Sequence, residues 1–463
     1  MKVALVIAVS EYAAYTMLDQ ESDPPLGVLY LATIIRDRHE VRIFDGQLSL
    51  SSPEDYAAEV LAWEPDVVGF SVNFSTVARN TWRMAEAVRA ARPQMPIVLG
   101  GNFATFHAEE VMGKAPVDYV LLHEAEVSFP ALLDRLADPT SPMPDGIVFR
   151  DGDGSPVRLP FGRYIQDLDE LPFPDFDLFD DPSRYAKSMV TSRGCPYTCV
   201  YCSTREMWKK WRSRSAENMV DEMMALQARY GCSQVLLADD IFIVNKKRVH
   251  EVCDLLIERG SLVRWGFSTR LETLKDEMMP KLARAGVTGI FLGIESASER
   301  VLAHMERRYT RQEIIDKIDR LADFGITASA SFIIGLPWET EEDVRVTFET
   351  MRRIRTHRVL LNIFTPLSGT LSLSRPEDYG LEFIETYDPE RAVVGHGYVN
   401  FNTPHLTAQR IKHLWLEGQA IVIAKGREKS RLEAELSRNR YGLLADPAAE
   451  SAQAEETQSH AFG

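Results

Sequence analysis

The sequence predicts an α/β protein made of two successive strand–helix arrays: a doubly wound parallel sheet, then part of a (β/α) barrel. Three observations carry this. Over residues 1–138, short apolar runs alternate with segments of helical period. Over 139–184 the alternation dissolves into a stretch rich in Pro, Asp and Gly. From 185 it resumes, with six more apolar runs. Strands apolar at every position belong to sheets covered on both faces, and those are parallel sheets with helical crossovers. A chain of 463 residues also exceeds one ordinary core.

In the first array KVALVIAV, EVRIFD, DVVGFSV and PIVLGG read as strands. PLGVLYLATIIRD, PEDYAAEVLAWE and ARNTWRMAEAVRAAR read as the intervening helices, and VDYVLLHEAEVSFPALLDRL gives a fifth strand and its helix. Ligands of such sheets sit beyond the strands' carboxyl ends, here the loops SVNFST and GGNFAT. The linker holds turn-rich runs such as RDGDGSP, enough for one hairpin. In the second array the strands are SMVTS, QVLLAD, VRWGFST, GIFLGIES, TASASFIIG and VLLNIFTP. Ser215 is placed to cap a helix whose Met219, Met223, Leu226 and Tyr230 share a face, and Thr310 and Gly325 bracket another. Function in such barrels sits at the strands' C-terminal ends. The barrel is expected over 185–400, a helical cap over 401–442, read as one closing helix, and a disordered tail over 443–463.

The net charge is −16, from 52 basic and 68 acidic residues. That argues against a broad nucleic-acid or anionic-membrane surface, and no apolar run approaches a membrane span. The opening MKVALVIAV runs into Ser10 and Glu11 without a small-residue cleavage site, so it reads as a buried strand rather than a signal peptide. Five cysteines, three of them clustered, are no disulfide framework and indicate a reducing, cytoplasmic setting.

The cluster is Cys195-x3-Cys199-x2-Cys202, directly after the first barrel strand. Structural zinc takes four ligands in separated pairs. Cys232 and Cys253 stand alone, and no histidine lies between His123 and His250. Three thiolates on one loop suit an iron–sulfur cubane with one iron left open to another ligand. The alternatives are a buried cysteine cluster or a zinc site completed from afar.

With Tyr201 before the last cysteine, this motif resembles the radical S-adenosylmethionine (SAM) superfamily, and the likeness runs over about Lys187 to Leu367. The resemblance implies a 4Fe–4S cluster on Cys195, Cys199 and Cys202. Its open iron would chelate SAM, and one electron would cleave SAM to methionine and a 5′-deoxyadenosyl radical that takes hydrogen from substrate. It implies SAM contacts from Tyr201, from Asp239 and Asp240 in ADDIF for the amino group, and from Ser268 and Arg270 in FSTR for the carboxylate, which suits a guanidinium. Gly293, Glu295 and Ser296 in LGIES and Gly335 in IIGLP complete the set. An external one-electron reductant of flavodoxin or ferredoxin type and a small-molecule substrate are implied as partners.

The first array resembles the cobalamin (B12)-binding, Rossmann-like domain of one subfamily, through PPLGVLYLA, FSVNFST, GGNFATF and DYVLLHEAE. The resemblance implies corrin contacts from Gly27, Ser71, Gly100, Gly101, Thr105 and Glu124. Phe103 stands where the pattern has His, His123 and Ala125 where it has Gly, and Gly46-Gln47 after Asp45 offers no lower-axial histidine. Two readings stay open: cobalamin held with altered contacts, or a scaffold without it. They divide the expected chemistry into cobalamin-dependent C-methylation of a small polar, natural-product-type substrate of the antibiotic-biosynthesis kind, or cobalamin-free radical dehydration of a sugar or aminoglycoside diol. For dehydration, Glu295, Tyr201 or a tyrosine beyond the barrel would donate a proton to the leaving hydroxide. His396 and His405 follow the last strand, and the stretch Met207–Ser215 is expected to shape the loop over the cluster.

Overall fold

Residues 1–10, 22–392 and 397–444 are described by the computed structural model. His396 and the expected tail from residue 445 lie outside them. The chain divides into two units. One comprises Met1–Arg214 with Thr365–Asp378 and Glu385–Tyr398; the other comprises Ser215–Phe364, Tyr379–Ile384 and the chain from Val399 on.

The first unit is built on β1 (Lys2–Ile7), α1 (Leu26–Ile35), β2 (Glu40–Asp45), α2 (Pro53–Ala62), β3 (Val67–Ser71), α3 (Ala78–Ala91), β4 (Ile97–Gly100), α4 (Asn102–Phe106), α5 (Ala108–Lys114), β5 (Tyr119–Leu121) and α6 (Ser128–Ala137). The parallel order is β2-β1-β3-β4-β5, with helices between successive strands, as the apolar runs require. Ala4, Val6, Val68, Leu99, Met84 and Val120 are fully buried in its core. The linker's hairpin, β6 (Ile147–Arg150) and β7 (Pro156–Arg158), continues this sheet antiparallel beyond β5. The linker is therefore partly sheet.

SMVTS splits into β8 (Ser188–Met189) and β9 (Ser192–Arg193). After α7 (Thr204–Trp208), the short β10 (Arg212–Ser213) returns antiparallel to β9, with Arg212 opposite Arg193.

In the second unit, α8 (Ala216–Tyr230), β11 (Gln234–Leu237), α9 (Lys246–Glu258), β12 (Arg264–Arg270), α10 (Met279–Arg284), β13 (Val287–Glu295), α11 (Glu299–His304), α12 (Arg311–Asp323), β14 (Thr327–Ile334), α13 (Glu341–Arg353) and β15 (Arg358–Ile363) follow in turn. The strands are parallel and adjacent in chain order. Ser215 caps α8 by accepting from Asn218 N–H, Thr310 and Glu313 form a capping box on α12, and Gly325 has the left-handed φ of +68° expected of a stop.

Beyond the barrel strands come the one-turn α14 (Leu371–Ser374), in the first unit, and the expected closing helix. The latter is two helices, α15 (Ala408–Gly426) and α16 (Lys429–Leu444). The break falls at Gly426, the weakest helix former in that stretch. Among the described residues, no helix is long and apolar enough to cross a membrane.

Candidate functional site

β9 leads into Gly194, whose φ is +86° and where a Cβ would lie 2.6 Å from the Lys210 carbonyl oxygen, so only glycine fits. The three cysteines follow, outside any disulfide, Cys195 and Cys199 half-buried and Cys202 exposed. A turn closed by Cys202 N–H donating to the Cys199 carbonyl at 3.1 Å brings the last two round, and Tyr201 sits in it, half-buried. Ser372 N–H of α14 donates to the Val200 carbonyl at 3.1 Å and backs the loop.

Among the described residues, no three His, Cys, Asp or Glu side chains converge on a single metal ion. They supply no ligand set for one zinc ion beside this loop. A cubane instead takes one thiolate per iron, and three cysteines on one loop suit that donor set. Cys253 adds nothing. It is buried in α9, and burial pushes its thiol up to about 12.

Both ends of the loop are tied down inside the first unit. Arg193 donates to Glu124 Oε1 at 2.9 Å and to Glu126 Oε1 at 2.5 Å. Arg212 donates to both Glu124 oxygens, at 2.7 and 3.1 Å. The side chains of Glu124, Arg193, Arg212 and Glu126 are 2, 7, 8 and 9 % exposed. Burial works to raise the Glu124 carboxyl, but Arg212 and Arg193 outweigh it and hold it below the usual carboxylate range. Ile165 N–H also donates to Glu124, at 2.8 Å. Arg193 lies over the rings of Tyr30 and Trp208, and Arg212 over Tyr164. The basic–aromatic stretch Met207–Ser215 is thus partly turned inward. None of Glu126, Arg193 or Arg212 was picked out from sequence as a site residue; the available signal was two arginines bracketing the cysteines and two glutamates spaced by one residue after β5.

At the carboxyl ends of β3 and β4, Ser71 and Gly100 are register partners. Gly101 has φ +102°, and a Cβ there would lie 2.7 Å from the Val72 carbonyl and from Asn73 Oδ1. The turn itself therefore demands glycine at 101, while a Cβ at Gly100 would come no nearer than 3.9 Å, to Leu121 Cβ. Thr105 is buried and accepts from His123 N–H at 3.0 Å. Gly27 lies in the first turn of α1 with open space where a Cβ would be. Glu124, expected at the corrin, is occupied by the two arginines. Phe103 stacks on His107 and tilts against Trp82. His123 donates through Nδ1–H to the Met207 carbonyl at 2.9 Å, and its ring packs on Phe161 and Tyr164. Burial lowers its pKa, which favours the neutral ring. Both bulky departures from the pattern are packed against neighbours, and the glycine rim remains, so these residues fit a corrin.

The expected SAM residues of the second unit fall at the ends of β11 to β14. Asp239 is buried and Asp240 exposed, two and three residues past β11. Ser268 and Arg270 close β12, and Arg270 is the register partner of Gly293. Arg270 pairs with Glu272 at 2.5 Å. Glu295 ends β13 with φ +69° and is ion-paired with Arg307 at 3.0 Å. In that contact Arg307 donates and Glu295 accepts. Ser296 is fully buried, bonded to Ser298 N–H and near Thr347. Gly335, φ +79°, donates its N–H to the buried Glu339 at 2.6 Å. Arg307, Glu272 and Glu339 escaped the sequence reading because nothing in spacing marks a side chain that folds back on its own strand end. His405 is exposed on the turn before α15.

A doubly wound domain, then a three-thiol loop and a parallel βα array with polar strand ends, is the layout of a cofactor-dependent α/β protein. Comparison with known proteins specifies it. Residues 22–133 match the B12 binding domain and 189–351 the Radical SAM superfamily. The chain is 31 % identical to an uncharacterised methyltransferase of Pyrococcus horikoshii, over 80 % of this chain and 82 % of that one. It is 29 % identical to the anaerobic magnesium-protoporphyrin IX monomethyl ester cyclase of Rubrivivax gelatinosus, over 74 % of this chain and 64 % of that one. The radical SAM methyltransferase TsrM of Kitasatospora setae, solved with cobalamin and a 4Fe–4S cluster, superposes with a TM-score of 0.71 at 17 % identity, covering 92 % of this chain and 88 % of that one. The chain belongs to the radical SAM superfamily, in the branch that carries a B12-binding domain.

Proposed function

We propose that this enzyme is a cobalamin-dependent radical SAM methyltransferase acting on carbon in a small polar substrate. The observation that carries the proposal is that the three-thiol loop belongs to the same unit as the B12-type domain. When bound, the cluster and cobalamin supply the electron that cleaves SAM and the methyl group that is transferred. The chain's own residues bind and orient. Cys195, Cys199 and Cys202 hold the cluster and leave one iron for SAM. Asp239 and Asp240 accept from the SAM ammonium, and Ser268 and Arg270 face its carboxylate, Arg270 being steadied by Glu272. Glu295, paired with Arg307, accepts hydrogen bonds from ribose hydroxyls. An external one-electron donor of flavodoxin or ferredoxin type reduces the cluster. The P. horikoshii relative, also a methyltransferase by name, supports this reading over dehydration.

The test is anaerobic reconstitution with iron, sulfide and cobalamin, then product analysis with reductant and SAM. Methyl transfer gives S-adenosylhomocysteine and 5′-deoxyadenosine together, with a corrin absorbance that stays with the protein. Deoxyadenosine alone, from a chain that retains no corrin, would refute the proposal.

A further inference from the structure

We propose that Glu124 is a positioning residue for the iron–sulfur site: its one carboxylate clamps Arg193 and Arg212 and so fixes the neck of the thiol-bearing loop to the end of β5. The inference rests on the radical SAM reading and adds to it a residue expected elsewhere, at the corrin.

The geometry is that of a staple. Arg193 and Arg212 are opposite one another in the only two register pairs joining β9 to β10, and residues 194–211 form the loop those strands close. A two-pair ribbon is too short to hold itself in water. What holds it is Glu124, which takes three guanidinium hydrogen bonds at 2.7 to 3.1 Å while 2 % exposed. Glu126 adds one more on Arg193. Without the carboxylate, two buried guanidinium groups would face each other across the neck with one counter-charge between them, and like charges at that spacing repel. Cys195 is two residues beyond Arg193. A neck that opens therefore moves the first thiolate relative to the other two. Outer residues that orient metal ligands in this way commonly control metal affinity tenfold to a hundredfold.

The experiment uses the full chain, reconstituted without oxygen, as wild type, Glu124→Gln and Arg212→Lys. It reads the rate at which iron is lost to a chelator, the electron paramagnetic resonance spectrum of the reduced cluster with and without SAM, and the far-ultraviolet circular dichroism. Glu124→Gln is expected to keep the native dichroism, to lose iron at least tenfold faster, and to show a weakened spectral response to SAM. Arg212→Lys keeps the charge but not the forked contact and falls between. A role confined to fold stability would lower the unfolding temperature and leave the native-state iron-loss rate and spectrum at wild-type values, and that result overturns the proposal. If Glu124→Gln does not fold, Glu126→Gln, which removes one contact, is expected to lose iron severalfold faster; wild-type behaviour of both Glu126→Gln and Arg212→Lys then overturns it. A wild-type chain that takes up no iron and sulfide overturns the radical SAM reading and the clamp with it. A wild-type cluster matched by that of Glu124→Gln overturns the clamp alone.

Discussion

Replacing Arg307 by Met tests how the end of β13 is held. The guanidinium is 2 % exposed. It donates to Glu295 at 3.0 Å, to the Gly293 carbonyl at 2.6 Å and to Tyr309 Oη at 3.2 Å, and lies 3.8 Å from Glu272. Tyr309 in turn donates to the Ile294 carbonyl at 2.7 Å. Methionine keeps the length and removes every donor. Glu295, 11 % exposed, would then lose its Arg307 partner, and breaking a buried pair from one side costs about 3–5 kcal/mol. The chain has two units and need not unfold in one step, so the assay must be local. Hydrogen exchange of peptides covering 287–295 reads the opening of this strand directly. At 1.36 kcal/mol per factor of ten, the loss corresponds to exchange faster by roughly a hundredfold to several thousandfold. The double variant Arg307→Met, Glu295→Gln removes the stranded charge and is expected to exchange more slowly than Arg307→Met alone. Exchange in Arg307→Met within about fivefold of wild type, roughly 1 kcal/mol, would refute the argument, as would a double variant worse than the single.

Two further outcomes follow from groups in each unit. Glu339 is fully buried, and burial pushes its carboxyl up to about 8, against the pull of hydrogen bonds from Gly335 and Leu336. A carboxyl whose pKa is raised on folding stabilises the fold fully below its unfolded value and loses that contribution as pH rises toward its folded value, here across the window from about 4.5 to about 8. Glu339→Gln should flatten the fall of the second unit's thermal midpoint between pH 5 and 8; an unchanged slope sinks the assignment. In the first unit, Gly101→Ala should destabilise by about 1–2 kcal/mol from positive φ alone, with more from the 2.7 Å backbone approach, whereas Gly27→Ala, in a helix and meeting nothing within 4 Å, should be neutral or stabilising by up to about 1 kcal/mol. Denaturant midpoints that rank the two alike would contradict this.

The strands were legible because buried parallel strands are apolar throughout, and KVALVIAV or TASASFII can be little else. Caps were legible for a similar reason: Ser215 and Thr310 precede apolar-periodic runs, and their oxygens have an amide three residues on to accept from. The cysteine loop was legible because its chemistry is in its spacing. The neck was not. SMVTS reads as one strand, yet it breaks into β8 and β9 so that Arg193 can turn to Glu124, and the pairing partner Arg212 lies nineteen positions away in sequence. Partners set by tertiary fold leave no local period to read. The break of the C-terminal helix after Gly426 was missed although no apolar side chain occurs between Ala424 and Leu432.

The most informative departure from the family pattern is His123. The family pattern has glycine there, which lets backbone approach a flat ligand closely; His123 holds φ +57°, a conformation that costs a side-chain-bearing residue about 1 kcal/mol. The turn after β5 has therefore kept the glycine backbone and added a ring. That ring bonds to the Met207 carbonyl, to which Tyr164 also donates at 2.7 Å, and Met207 lies in α7 within the loop that β9 and β10 close. The same turn supplies Glu124 and Glu126 to the arginines of the neck. A side chain that would merely crowd a corrin would leave the loop untouched. This one contacts the loop directly, so the substitution at the glycine position strengthens the hold of the B12-type domain on the cysteine-bearing segment.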